Sequence, residues 1–259
     1  MGDAGAAAPA IEPETLKVGG TSAGHLRYFH GHAAPLIDGL DLIALAMAIL
    51  YGAAFLRRPP SPLKTLVKTS AVAALAVASA LDRDPWLLTL ALSFCALGDA
   101  FLAGDPKRWL PLGLASFLAG HLAYVALFVS AILTFQHHQG AWQPGETLPL
   151  TAVRFAVMAG VVITGVGMLA WLWRSLGGLK AAVSAYVVAI VAMVCASLAL
   201  PPVNEGAEYG ALAFFASDAI LSVQLFKQRF TGLLGQWAVW GLYFVGQLLI
   251  LIYFSPLTF

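Results

Sequence analysis

Charge is what this sequence has least of. Its 259 residues include 14 Lys and Arg and 13 Asp and Glu, or 10% charged, against roughly 25% in an ordinary soluble domain. A soluble fold of this length needs a polar skin that so few charged side chains do not supply. No sign dominates either: the formal net charge is +1, which leaves no basic footprint for nucleic acid. Cysteine is nearly absent. Cys95 and Cys195 both lie in apolar runs, which argues against a disulfide framework and for two buried thiols. What fills the chain is apolar: 60% of residues are hydrophobic and the mean hydropathy is +0.83. That is far too apolar for disorder. The class that remains is an all-α polytopic integral membrane protein.

A membrane-crossing helix needs about 20 apolar residues. Eight stretches qualify, near 39–56, 64–81, 85–104, 109–135, 150–173, 181–200, 208–226 and 233–254. The first two have the shortest charge-free cores. Polar or Pro-rich breaks such as Arg57-Arg58-Pro59-Pro60, His137-His138-Gln139-Gly140 and Pro201-Pro202 separate them. Arg154 falls in the first turn of the fifth span, from which it is expected to snorkel. Residues 1–38 form a flexible tail rich in Ala, Gly and Pro, and 39–259 a single eight-helix domain. The tail lacks a basic segment followed by an apolar one, so no cleavable signal peptide is expected. His25, His30 and His32 are read as solvated.

Basic residues set the orientation. Ten of the 14 lie in or beside alternate loops: Arg57, Arg58, Lys64 and Lys68, then Lys107 and Arg108, Arg174 and Lys180, Lys227 and Arg229. Those loops are expected to be cytoplasmic and both termini outside. In a bacterium the membrane would be the plasma or inner membrane.

Of the 13 acidic residues, 11 lie in loops, in tails or near span ends. The exceptions are Asp99 in the third span and Asp218 in the seventh. His121 is the one histidine placed inside a span, the fourth. A charged side chain at the bilayer centre costs on the order of 2.5–3.5 kcal/mol on insertion scales, so all three are functional candidates. Asp99 precedes Lys107 by about 12 Å of helix and Asp218 precedes Lys227 by about 13 Å, so the acids share a depth. His121 lies somewhat deeper. Lys68 is just inside the second span, and Tyr186 is six residues beyond Lys180. In the last span Gln236, Trp240, Tyr243 and Gln247 repeat on one helix face. The outer half carries nothing comparable, so one cavity open toward the cytoplasmic leaflet is expected.

Several chemistries do not fit. Catalytic zinc wants three protein ligands, and one histidine is at depth. The later spans hold no deep lysine for a retinal Schiff base. No G-x-S-x-G signature appears. The GxGD pattern of intramembrane aspartyl proteases would fall on Ala96-Leu97-Gly98-Asp99, which lacks its first glycine. Two carboxyls in a low-dielectric cavity instead suit metal-free acid–base hydrolysis without a cofactor, one acting protonated and its partner ionised. A lipid-binding or proton-coupled transporter could use the same acids.

The motifs around these residues resemble a known family. Leu97-Gly98-Asp99-Ala100 is followed by a short basic loop and then by Gly113-Leu114-Ala115-Ser116-Phe117-Leu118-Ala119-Gly120-His121-Leu122-Ala123-Tyr124. Gly210-Ala211-Leu212-Ala213-Phe214-Phe215-Ala216-Ser217-Asp218 and Tyr243-Phe244-Val245-Gly246-Gln247 come later. In this order and spacing, over about residues 40–254, they are similar to the motifs of the YhhN-like lysoplasmalogenase family. Lys68-Thr69 stands where that family usually has Lys-Pro. The resemblance implies an eight-span membrane hydrolase that cleaves the vinyl ether bond of lysoplasmalogens. The products are a fatty aldehyde and a glycerophospho-ethanolamine or -choline. It implies catalytic roles for Asp99 and Asp218 and a polar pocket position for His121; the chemistry then suits His121 to orienting water or a carboxyl as part of the catalytic set. Lys68, Tyr124, Tyr186, Tyr243 and Gln247 become substrate-binding positions, with Lys68 meeting the phosphate. The partners it implies are a lysophospholipid and the surrounding membrane lipids. Asp99 is read as the acid, because Cys95 one turn earlier makes its surroundings apolar. A hydrolase of a different lysolipid keeps the same fold.

Overall fold

The computed structural model describes residues 39–82, 84–104, 106–138 and 151–254. The expectations for the tail at 1–38 lie outside them. Eight helices run through these residues, and among them there is no β-strand. Helix α1 spans Gly39–Leu50 and continues through a π-helical turn, Tyr51–Phe55. Then come α2 (Pro62–Leu81), α3 (Trp86–Ala103), α4 (Pro106–His138), α5 (Ala152–Leu172), α6 (Lys180–Ser197), α7 (Ala207–Lys227) and α8 (Leu233–Phe254). Every expected span is present, with ends within three residues of the sequence reading. Seven helices are long and apolar enough to cross a bilayer. The shorter one, Gly39–Phe55, has a length of about 25 Å, at the lower limit for a crossing.

Only helices satisfy their own backbone hydrogen bonds in lipid, which is why so apolar a chain takes this form. Local signals set the ends. Ser61 caps α2, its Oγ accepting the Lys64 N–H at 3.2 Å, with Pro62 at the first helical position. Thr151 does the same for α5 through the Arg154 N–H at 3.3 Å. Gln228 closes α7 in the left-handed region, at φ 54°.

Successive helices pack side by side, α1 on α2, α2 on α3, α3 on α4 and α7 on α8. Helix α4 also packs on α6. Helix α5 leans mainly on α6 and is the least buried of the long helices. Large apolar side chains such as Leu66, Val153, Ile163, Val166 and Val188 stay exposed, as lipid-facing residues do.

Helices α7 and α8 meet backbone to backbone at two glycines. A Cβ on Gly210 would stand 2.7 Å from the Gly246 carbonyl oxygen, and one on Gly246 would stand 2.8 Å from that of Gly210. Both obstacles are backbone, so neither can move aside. Gly246→Val is therefore expected to force the helices apart and cost roughly 1–3 kcal/mol. Unfolding in detergent reads this directly, and an unchanged midpoint would refute it.

Candidate functional site

Three buried polar groups lie within the bundle, each assembled from distant parts of the chain. The first is centred on Asp99 of α3, which is 1% exposed. Its Oδ1 meets Lys68 Nζ of α2 at 2.9 Å, and its Oδ2 accepts from the Tyr243 hydroxyl of α8 at 2.7 Å. Both carboxylate oxygens are thus taken. Lys68 Nζ also lies 5.9 Å from the Trp240 ring centroid. Trp240 donates its indole N–H to the Ala48 carbonyl at 2.9 Å and packs on Tyr51, centroid to centroid 4.5 Å. Tyr51 opens the π turn of α1, and such turns recur at functional sites. Nothing in the sequence flags that turn, so Tyr51 was missed.

The second group is centred on Asp218 of α7. The Tyr186 hydroxyl of α6 donates to its Oδ2 at 2.5 Å. His121 Nε2 of α4 lies 3.7 Å from the same oxygen. His121 Nδ1 is 2.7 Å from the Phe117 carbonyl oxygen, which only accepts. Nδ1 therefore carries the imidazole proton, and Nε2 faces Asp218 as a lone pair without another partner. No Lys or Arg pairs with Asp218 among the described residues. The two aspartates consequently live in different settings. Asp99 has an ammonium on it and Asp218 does not, which removes the ground for reading Asp99 as the acid.

Aromatic rings join the two groups. Phe214 is 4.7 Å from His121 and 5.1 Å from Tyr243, and Phe117 is 5.8 Å from Tyr243. The third group is a pair: Tyr124 of α4 donates to Gln247 Oε1 of α8, both fully buried. Gln236, expected on the same stripe, does not join them. It donates to the Thr231 carbonyl at 2.9 Å at the start of its own helix.

A cleft opens between α4, α5, α6 and α7, with Leu102 of α3 at its edge. Leucine, valine, methionine and phenylalanine make up most of its wall, and Asp218, Tyr186 and Ser222 are its polar residues. It runs to Leu172, Val183 and Phe226, at the end of the bundle that carries the α5–α6 and α7–α8 loops. This cleft reaches one of the two aspartates that were expected to share a cavity. Asp99, Lys68 and Tyr243 are not part of this wall, although Phe117, which is, packs on Tyr243. Among the described residues no group of three His, Cys, Asp or Glu is placed to hold a metal ion.

The opposite end of the bundle holds a cluster that sequence reasoning missed. Arg154 does not snorkel: it is 7% exposed and turned inward. Its guanidinium reaches Glu205 at 2.7 Å, Glu208 at 2.9 Å and the Leu198 carbonyl at 3.2 Å. The half of the bundle away from the basic loops, expected to hold no polar set of its own, therefore does carry buried charge. A lone Arg facing two acids three residues apart was the available signal. The cluster ties α5 to the α6–α7 connection. Arg154→Met is expected to lower stability by roughly 1.5–3 kcal/mol, because it leaves the buried Glu208 without its cation. A thermal-unfolding midpoint equal to the native one would contradict this.

Eight helices enclosing a divided pair of aspartates define an all-α, multi-pass membrane protein with a buried carboxyl site. The YhhN family model matches residues 63–253, and the chain belongs to that family. Proteins named lysoplasmalogenase from Mycobacterium bovis and Mycobacterium tuberculosis are each 33% identical to it over 158 residues. The match covers 60% of this chain and 56% of each relative, so the chain spans little more than half the length of these curated relatives. No solved structure matches.

Proposed function

We propose that this protein hydrolyses the vinyl ether bond of lysoplasmalogens, with Asp218 as the acid and Asp99 as a fixed carboxylate. The observation that carries the reading is the unequal setting of the two aspartates. Asp218 has no cation and borders an apolar cleft, whereas Asp99 is held by Lys68 and Tyr243. The lysoplasmalogenase name of the 33%-identical relatives supports the substrate class.

In this reaction the Asp218 carboxyl gives its proton to the β carbon of the vinyl ether. The double bond is consumed and an oxocarbenium ion forms on the ether carbon. The faces of Phe117 and Phe214, the new Asp218 carboxylate and the charge of Asp99 stabilise that cation. Water adds to the cation and returns a proton to Asp218. The hemiacetal then breaks its C–O bond, and fatty aldehyde and glycerophospho-alcohol leave. The lone pair on His121 Nε2, 3.7 Å from Asp218, orients the carboxyl proton or the water. Tyr186 donates to that same Oδ2 and fixes the carboxyl in place. Tyr124 fixes the amide of Gln247 through its oxygen. The apolar cleft houses the chain.

The same reading places residues 39–259 in one transmembrane domain, apart from a tail at 1–38. The basic loops are cytoplasmic, the termini are outside, and the cleft opens to the cytoplasmic half. The test is a panel of lysolipids given to the purified protein, with fatty aldehyde detected. Aldehyde should appear from 1-alkenyl lysolipids and not from 1-acyl ones, with or without EDTA. No aldehyde from any alkenyl substrate would end the reading, and loss of activity in EDTA would end its metal-free form.

A further inference from the structure

We propose that Lys180 and Lys227 form a phosphate-binding rim at the mouth of the α4–α7 cleft and hold the headgroup phosphate of a single-chain phospholipid. The chain class rests on the proposed function, and the rim deepens that reading. Lys68, the cation that sequence alone would give to the phosphate, is already paired with Asp99 at 2.9 Å. The cleft itself carries no cation. Its mouth is different. Phe226 and Val183 line it, and Lys227 follows the first directly while Lys180 precedes the second by one turn. Each ammonium is held over an indole of the end of α5: Lys180 Nζ is 5.2 Å from the Trp173 centroid, and Lys227 Nζ is 5.3 Å from that of Trp171. Leu172, between those tryptophans, lines the cleft. The two lysines thus come from different helices, and both are anchored against the helix that walls the cleft.

The spacing fits the ligand. Lys227 lies nine residues beyond Asp218 on α7, about 13 Å along the axis. Lys180 lies six residues before Tyr186 on α6, about 9 Å. A lysine on a helix leans toward the N-terminus, which carries the Lys227 ammonium back toward Asp218. The same lean carries the Lys180 ammonium outward, so Lys227 is the nearer cation to the acid. In a 1-alkenyl glycerophospholipid seven bonds separate phosphorus from the β carbon, about 8 Å when extended. A phosphate on the Lys227 side of the rim therefore points the reacting carbon toward the acid.

The test measures binding as well as turnover. The probes in detergent are 1-alkyl-glycerophosphoethanolamine, which lacks the cleavable bond, and 1-alkylglycerol, which lacks the phosphate. Lys180→Gln/Lys227→Gln should weaken the first about tenfold and leave the second unchanged, as expected for lost charge-assisted contacts. Lys180→Arg/Lys227→Arg should bind the first normally. Arg58→Gln removes another cation held over a ring, Phe55 at 4.6 Å, but lies off the helices of the cleft and should change neither. In turnover the Gln pair should raise KM about tenfold and spare kcat. If both probes weaken equally, or the phospholipid does not weaken, the lysines are membrane anchors and the proposal is wrong. Inorganic phosphate binding the rim as tightly as the lysolipid would also overturn it, because the site would then be one for free anions. A protein that binds by this pattern but releases no aldehyde refutes the hydrolase reading and leaves the rim standing.

Discussion

Replacing Asp218 by Asn is expected to lower aldehyde release from lysoplasmenylethanolamine by about 10²–10⁴-fold, the usual worth of a positioned general acid. The protein should stay folded. Asn accepts from the Tyr186 hydroxyl as the carboxyl does, and no cation is stranded by the change. What Asn lacks is the proton. The developing oxocarbenium ion also loses the carboxylate that would remain after transfer. Tyr186→Phe is the companion measurement. It removes one bond from Asp218 but not the acid, so its loss should be much smaller. His121→Ala should fall between the two, since Nε2 is one of the two groups on that carboxyl. Equal rates for Asp218→Asn and the native protein, with native unfolding behaviour, would remove Asp218 from the chemistry.

Much of this arrangement was legible in the sequence because lipid makes charge conspicuous. In a chain with 10% charged residues, Asp99 and Asp218 stand out by position alone, and so does His121. Apolar run lengths gave the helices for the same reason. Partner choice was not legible, because it depends on which helix faces lie together. Asp99 looked like the acid while its neighbours in sequence were apolar; Lys68, on another helix, reverses that. Arg154 looked like a snorkelling residue because first-turn position is a local cue. Glu205 and Glu208, which turn it inward, arrive some fifty residues later. Gln236 kept the period of its stripe, but at the start of α8 its own loop offered a carbonyl first. The π turn at Tyr51–Phe55 has no residue signature, so the wall that Tyr51 and Trp240 build beside Lys68 appears only in three dimensions.

Lys68→Met should lower the stability of the folded protein by about 3–5 kcal/mol, because it leaves a buried carboxylate without its cation. Asp99 is 1% exposed, and Tyr243 alone would then remain on it at 2.7 Å. Asp99→Asn strands the ammonium instead and should cost a similar amount. The double variant Lys68→Met/Asp99→Asn removes both charges together. Most of the stability should return, as it does when a buried pair is replaced by groups of like size. Activity should not return with it. If Asp99 supplies negative charge to the cation forming beside Phe117 and Phe214, a neutral Asn cannot, however well the bundle is packed. Unfolding and aldehyde release, measured on the same three proteins, separate the two roles. Recovery of both in the double variant would make the Lys68–Asp99 pair a structural clasp and leave Asp218 to act alone. Recovery of stability without rate assigns Asp99 to the reaction.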